Sequence, residues 1–263
     1  MKPVDPPSIP ADRRAWYLGC TAAEVAPRAL LVGDPQRVER IARRLDEVRR
    51  PPEQRGLATV SGRFRGCPVT VSAFGMGAPI AAIVMHELFD LGVRRFIRIG
   101  TAMATAPVEL GDFVLADAAY RGEGTSASYA RAGYPASADF ELGVEMRRAL
   151  RVLGSRPWHA GLFGSYDGFY TEMFALDETR PRPSQALLAD FDELGLLAAD
   201  METSALLTAG RRLGAQTASL CVASVDAKSR RKLDAERMAA AEQDLFTVAL
   251  AALVAGAPER GLP

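Results

Sequence analysis

Short apolar runs alternate with amphipathic stretches along most of the chain, and Gly or Pro closes many of them. "RALLVGDP" (28–35) reads as a buried strand that stops at Gly33-Asp34-Pro35 and runs into a helix. Pro35 suits the first helical turn, where a missing N–H leaves nothing unpaired, and Asp34 is placed to cap it. That helix should run through "QRVERIARRL". "GLATVSGRFRGCPVTVSAFG" (56–75) alternates apolar and polar residues around a Gly turn, the pattern of a β-hairpin. "GAPIAAIVMHELFDLG" (77–92) is an apolar helix closed by Gly92, and "RRFIRIGTA" (94–102) is a buried strand entering a Gly turn.

The alternation continues to the end. "GDFVLADAA", "WHAGLFGSYD", "LLAAD" and "AQTASLCVASV" predict strands. "ADFELGVEMRRALRVLG", "METSALLTAGRRLG" and residues 234–254 predict helices. No linker or internal repeat separates them, so the pattern predicts one α/β domain in which helices flank a mixed central sheet. Its expected span is 16–256, between a Pro-rich extended arm at 1–15 and a frayed tail at 257–263. Two segments break the pattern: 121–138 and 168–184 are long, polar and aromatic, as binding loops are.

Composition narrows the function. Lys+Arg and Asp+Glu balance at 32 each, so no net field favours nucleic acid or a membrane surface. Three widely spaced cysteines form no CxxC, and two isolated histidines add no zinc pattern. No metal site is expected, and His86 and His159 read as structural. "MKPVDPPSIPADRR" holds no signal-peptide core and no apolar run reaches spanning length, so the expectation is a cytoplasmic protein with reduced thiols.

The Gly turns carry the candidate chemistry. Gly33-Asp34-Pro35, Gly75-Met76-Gly77 and Gly100-Thr101 each follow a strand, where open α/β sheets bind ligands and free backbone N–H groups suit anions. Arg37 follows the first turn, Arg98 precedes the third, and Thr101 adds a hydroxyl. Arg98 stands inside the apolar strand "FIRIG", and a cation there needs a partner. "GMGAP" matches neither a dinucleotide fingerprint nor a P-loop. No Ser-His-Asp or Cys-His arrangement is apparent, which favours chemistry by positioning and electrostatics. In "LLAADMETSALLTAG" two carboxylates, Asp200 and Glu202, interrupt an apolar run and also need partners.

Taken in order, "WYLGCT", "LVGDPQRV", "QRGLATVSGRFRG", "AFGMGAPIAAIVMHEL", "RIGTA", "GEGTSASY", "SYDGFY" and "DMETSALL" resemble the nucleoside phosphorylase-I family, which includes hexameric purine nucleoside phosphorylases and uridine phosphorylases. The likeness runs from Tyr17 to about residue 254. It implies a mixed, partly barrel-like sheet and a reaction in which inorganic phosphate, the co-substrate, attacks the anomeric carbon of a nucleoside. No other cofactor is implied. Carried over position by position, Gly33, Arg37, Arg98 and Thr101 match the phosphate site, and Arg55 the arginine that a neighbouring subunit contributes. Met201 and Glu202 match the ribose contacts, and Phe169 the aromatic near base and sugar. Such shared sites imply a homodimer, usually assembled into a hexamer as a trimer of dimers.

The departures concern the base and the sugar's 5′ end. Tyr17, also expected from the neighbouring subunit, replaces a histidine that reaches the 5′-hydroxyl. Met173 and Ala175 stand where uridine phosphorylases carry a Gln and an Arg. The acid of purine enzymes falls on Val225. Asp226 takes that place only if the strand end holds a bulge, with Arg237 as its partner; otherwise Asp226 is a turn cap. The expected function is a phosphorylase leaning towards uridine with an atypical base pocket. A nucleosidase of the same fold and a non-catalytic nucleoside-binding homologue are the alternatives. Glu202 is expected to pair with the ribose diol rather than a protein cation, Asp200 to cap the following helix, and Arg98→Ala to abolish phosphorolysis while leaving the fold nearly intact.

Overall fold

The computed structural model of the chain describes residues 9–176 and 182–256, with residues 182–184 as backbone only. The tail at 257–263 and residues 1–8 of the expected arm lie outside the described residues. Residues 9–15 are not an extended arm. The Arg13 N–H bonds to the Pro10 carbonyl, Arg14 bridges to Thr21, and Ala15 is buried in an apolar cluster with Leu18 and Leu88.

The first half follows the hydrophobic pattern closely. Strand β1 (Arg28–Val32) leads into α1 (Pro35–Ala42), whose cap is Asp34 accepting from the Gln36 N–H at 2.9 Å. The helix stops short of the expected Leu45, and β2 (Asp46–Arg49) follows. This strand escapes prediction because "DEVR" is charged and mostly exposed, as the outermost strand of a sheet often is. The expected hairpin is β3 (Thr59–Phe64) and β4 (Cys67–Ala73). Its two-residue turn, Arg65-Gly66, has φ of 51° and 74°, the twist that matches right-handed strands. Helix α2 (Ala78–Asp90) and strand β5 (Arg95–Ala104) come next.

The second half contains β6 (Phe113–Arg121), a short α3 (Ser126–Tyr129), β7 (Ala136–Ser137), α4 (Phe140–Leu153) and β8 (Trp158–Ser165). A single π-helical turn spans Phe169–Met173. Helix α5 (Arg182–Leu194) follows, and the hydrophobic pattern does not predict it because prolines crowd its start. It seats Leu187 and Phe191 in a buried cluster. The chain closes with β9 (Leu196–Asp200), α6 (Thr203–Leu213), β10 (Gln216–Asp226) and α7 (Ala235–Val254).

Among the described residues, all ten strands belong to one mixed sheet, ordered β10-β6-β8-β9-β5-β1-β4-β3-β2 with β7 on β6. Because β10 also pairs with β5, the strands β5, β10, β6, β8 and β9 close into a ring, and β1, β4, β3 and β2 extend from it. The partly barrel-like α/β expectation is therefore met. Strand β5 makes the closure possible. Its first half, Arg95–Ile99, pairs with β1, while Met103 and Ala104 pair with β9. Between them, around Gly100–Ala102, the sheet divides. A crevice at such a division is where open α/β folds bind ligands. Helix α6 fills the side of the ring, buried at every residue from Thr203 to Gly210.

Candidate active site

The first two Gly turns are locked side by side. The Phe74 N–H bonds to the Val32 carbonyl at 2.9 Å and the Gly75 N–H to the Gly33 carbonyl at 3.1 Å. A β-carbon on Gly33 would come within 2.8 Å of the Gly75 carbonyl oxygen, so the close approach requires glycine there. Arg37, in the first turn of α1, is buried and donates through Nε to Glu242 of α7 at 2.6 Å. Arg40 shares that carboxylate at 3.1 Å and also reaches Asp34 at 2.9 Å. Arg37 is thus held in a fixed ion-pair cluster beside the Gly33 turn rather than lying loose on the surface.

Arg98 lies in the β1-paired half of β5, two residues before Gly100, where the sheet divides. Its side chain is only 5% exposed. Nη1 lies 2.7 Å from Asp200 Oδ2 and also donates to Cys221 Sγ; Nη2 lies 2.7 Å from Glu202 Oε2. Burial weakens the protonated guanidinium, but Cys221, Asp200 and Glu202 outweigh it and raise its pKa. Burial also pushes the Cys221 thiol up to about 12, against the pull of Arg98.

Asp200 does two jobs. Oδ1 accepts from the backbone N–H groups of Glu202 at 3.3 Å and Thr203 at 3.2 Å, so Asp200 ties down the start of α6 although the N-cap residue itself is Glu202. Oδ1 also accepts from Ser165 at 2.7 Å, while Oδ2 takes Arg98. Glu202 departs from expectation: its partners are a protein cation and a backbone amide. Oε2 pairs with Arg98, and Oε1 accepts from the Gly77 N–H at 2.7 Å, at the start of α2. The physical reason is burial. An ionised carboxylate with 7% side-chain exposure must be compensated, and Arg98 on the neighbouring strand β5 is within reach. Burial raises the Glu202 carboxyl above its ordinary 4.5 against the pull of Arg98, and Asp200 adds to the rise.

Beside these charges lies an apolar shelf. Phe169, Met173, Met201 and Val225, singled out separately along the sequence, share one cluster with Met103 and Tyr166. Phe169 stacks on Phe174 with centroids 5.5 Å apart, which fixes its ring. The Tyr166 hydroxyl donates to Asp190 at 2.6 Å, and burial raises its phenol pKa, with Asp190 reinforcing it.

The bulge that Asp226 needed is present, with register against β5 shifting between Ala223 and Val225. Its carboxylate is nonetheless engaged elsewhere, accepting from both the backbone N–H and the hydroxyl of Ser229. Burial opposes ionisation of Asp226, but these bonds outweigh it and lower its pKa, the wrong direction for an acid that must donate a proton at neutral pH. Arg237 donates to the Leu110 carbonyl at 2.7 Å and lies 4.0 Å from Asp234.

Tyr17 and Arg55 sit together, the guanidinium 5.0 Å from the centre of the phenol ring. The Tyr17 N–H is fixed by Glu87 at 2.8 Å, and Arg55 has a φ of 55° in a tight turn that Gly56 completes. Thr101 is half-buried on β5 where the sheet divides. His86 faces the Tyr129 hydroxyl at 3.1 Å and His159 faces Asp112 at 3.1 Å, structural contacts of the kind expected.

Sequence reasoning missed three buried partners. Glu123 accepts from the Ser126 N–H at 2.8 Å and the Ser204 hydroxyl at 2.7 Å, and the Ser204 N–H donates to Ser165 at 2.9 Å. This chain of bonds ties the 121–138 segment to Asp200. The available signal was an acid set between two glycines in "GEG", with no clue to its partner.

A model of the Phosphorylase superfamily matches residues 27–255. The uridine phosphorylase of Thermococcus kodakarensis is 35% identical over 209 residues, covering 78% of this chain and 75% of that protein. The guanosine phosphorylase of Halorubrum lacusprofundi is 34% identical over 194 residues, covering 73% of this chain and 76% of that protein. Among solved structures, uridine phosphorylase from Vibrio fischeri is similar with a TM-score of 0.83 at 32% identity, covering 91% of this chain and 97% of that one.

Proposed function

The chain belongs to the phosphorylase superfamily and is an enzyme of the nucleoside phosphorylase type, a pentosyltransferase, and on that premise we propose how its residues run the reaction. A phosphate oxygen attacks the anomeric carbon of a nucleoside, the N-glycosidic bond breaks, and its electron pair leaves with the base. The products are the free base and ribose 1-phosphate, and no cofactor takes part. Gly33, Arg37, Arg98 and Thr101 bind the phosphate, with Arg55 of a neighbouring subunit. Glu202 and Met201 hold the sugar. Phe169, Met173 and Val225 receive the base, and Tyr17 of the neighbouring subunit closes the 5′ end. The observation that carries this reading is Arg98, a buried cation two residues before β5 divides the sheet, with the ribose acid Glu202 on its guanidinium.

The chemistry asked of the chain is mainly electrostatic. Positive charge develops on the ribose ring in the transition state, and bound phosphate with the Glu202 carboxylate stabilises it. The base is held by stacking and shape on the apolar shelf. The likeness to named uridine phosphorylases supports a uridine-like preference, and Asp226 takes no acid role because Ser229 occupies it. A dimer with shared sites, assembled as a trimer of dimers, is supported by Tyr17 and Arg55 lying on one patch. A cytoplasmic location is supported by the three free cysteines.

The test is base release from uridine, thymidine, inosine, adenosine and methylthioadenosine, with and without phosphate. Phosphate-dependent release is expected. Release that needs no phosphate would replace this reading with the nucleosidase, and nucleoside binding without release would replace it with the non-catalytic homologue.

A further inference from the structure

The Glu202 carboxylate occupies a seat that suits an anion from outside. Its two oxygens bridge two donors on different elements, the Gly77 N–H at 2.7 Å and Arg98 Nη2 at 2.7 Å. Gly77 is the N-cap of a helix running to Asp90, with φ of 99° and no side chain of its own to offer the helix end. Helix starts attract anions through their free amides and the aligned peptide dipoles. Two oxygens of a phosphate span nearly the same distance as two oxygens of a carboxylate, so either can bridge this pair of donors.

The charges around the seat sharpen the point. Arg98 is one cation facing two buried carboxylates, Asp200 and Glu202. Asp200 is committed by Ser165, Thr203 and the start of α6. Among the described residues, the Glu202 side chain bonds to the two donors of the seat alone, besides belonging to the backbone that starts the helix. A phosphate dianion approaching Arg98 meets net negative charge unless Glu202 moves away.

We propose that Glu202 is an internal stand-in for phosphate: phosphate displaces its carboxylate from Gly77 and Arg98, and the displaced carboxylate turns to accept the ribose 2′- and 3′-hydroxyls. Gly77 thereby becomes a phosphate ligand through its backbone N–H. Occupation of the phosphate site sets the sugar site, and each substrate favours the other without any movement of the sheet. The ligands exchange hydrogen bonds only, so no bond is made or broken. This inference rests on the reading of Arg98 as a phosphate ligand.

Phosphate binding, measured by titration calorimetry without nucleoside, tests it. Removing the charge of the competitor in Glu202→Gln should tighten phosphate binding about tenfold, the difference between a charged and a neutral hydrogen-bonded competitor. Glu202→Ala, which removes the competitor altogether, should tighten it at least as much, and it serves if the first variant does not fold. In the wild type, sulfate should tighten uridine binding and leave 2′,3′-dideoxyuridine binding unchanged. Wild-type phosphate affinity that is retained or lowered in both variants overturns the exchange. If the wild type itself binds no phosphate, the reading of Arg98 falls first, and the two failures are distinguishable.

Discussion

A β-carbon on Gly100 would come within 2.7 Å of Arg98 Cζ and 2.8 Å of its Nη2. The guanidinium therefore lies over the glycine two positions along its own strand, and this places it between Asp200 and Glu202. Strand geometry puts residues two apart on one face, so the small residue and the large one were coupled from the start. Gly100→Ala should push the guanidinium from its seat. We expect phosphorolysis to fall about 100-fold, as misplacement by about 1 Å does, in steady-state kinetics.

Arg98→Ala should abolish phosphorolysis, as the sequence already suggests, but it should not leave the fold intact. Two carboxylates, with side-chain exposures of 1% and 7%, would lose their cation. Breaking a buried pair from one side costs about 3–5 kcal/mol. Urea denaturation of the variant should show a loss of that order. A melting curve like the wild type's would mean that Asp200 and Glu202 are compensated from elsewhere.

Shared sites predict complementation. Arg55→Ala and Glu202→Gln should each be inactive alone as homo-oligomers. Mixed after dissociation and reassembly, they should regain activity, because one site of each mixed pair combines an intact Glu202 with an intact Arg55. Assays of the mixture against each variant alone decide it, and no recovery would place both residues in one subunit's site.

Glu202 gives a pH signature. Its carboxyl is raised above the ordinary 4.5 chiefly by burial, so its contribution to stability is full below that value and is lost as pH rises through the folded-state pKa above it. Wild type should therefore lose stability relative to Glu202→Gln as pH rises above 4.5. Asp226 has the opposite sign: its lowered pKa stabilises the fold above 3.8, and that contribution is lost as pH falls through the lowered value. Thermal melts of wild type, Glu202→Gln and Asp226→Asn from about pH 2 to about pH 8 separate the two. A constant gap between wild type and Glu202→Gln would contradict the raised pKa.

Most elements were legible because their signals are local. Apolar periodicity marked β1, β5 and α4, and the caps Asp34, Asp139 and Asp234 each bond to a backbone N–H within the next three residues. Strand β2 was not legible, because a charged edge strand looks like a loop until a partner is found for it. Helix α5 was not, because its proline-rich entry masks the apolar pair Leu187 and Phe191 that seats it.

The candidate site divides in the same way. Gly33, Arg37, Arg98 and Glu202 could be picked out one by one, since glycines at strand ends and charges inside apolar runs are local anomalies. The joining of Phe169, Met173, Met201 and Val225 into one shelf depends on β9, β10 and the π-helical turn converging, and no window of sequence contains all three.

The sequence by itself determined the alternation of strands and helices, the turns that admit only glycine and the charges that had to find partners, because these follow from backbone sterics and burial over a few residues. Which partner each charge took was decided only by tertiary structure. Glu202 closes on Arg98 and Gly77, and Asp226 turns to Ser229, because electrostatic compensation acts through space. Strands β5 and β9 are about a hundred residues apart in the chain and become neighbours only when the ring closes.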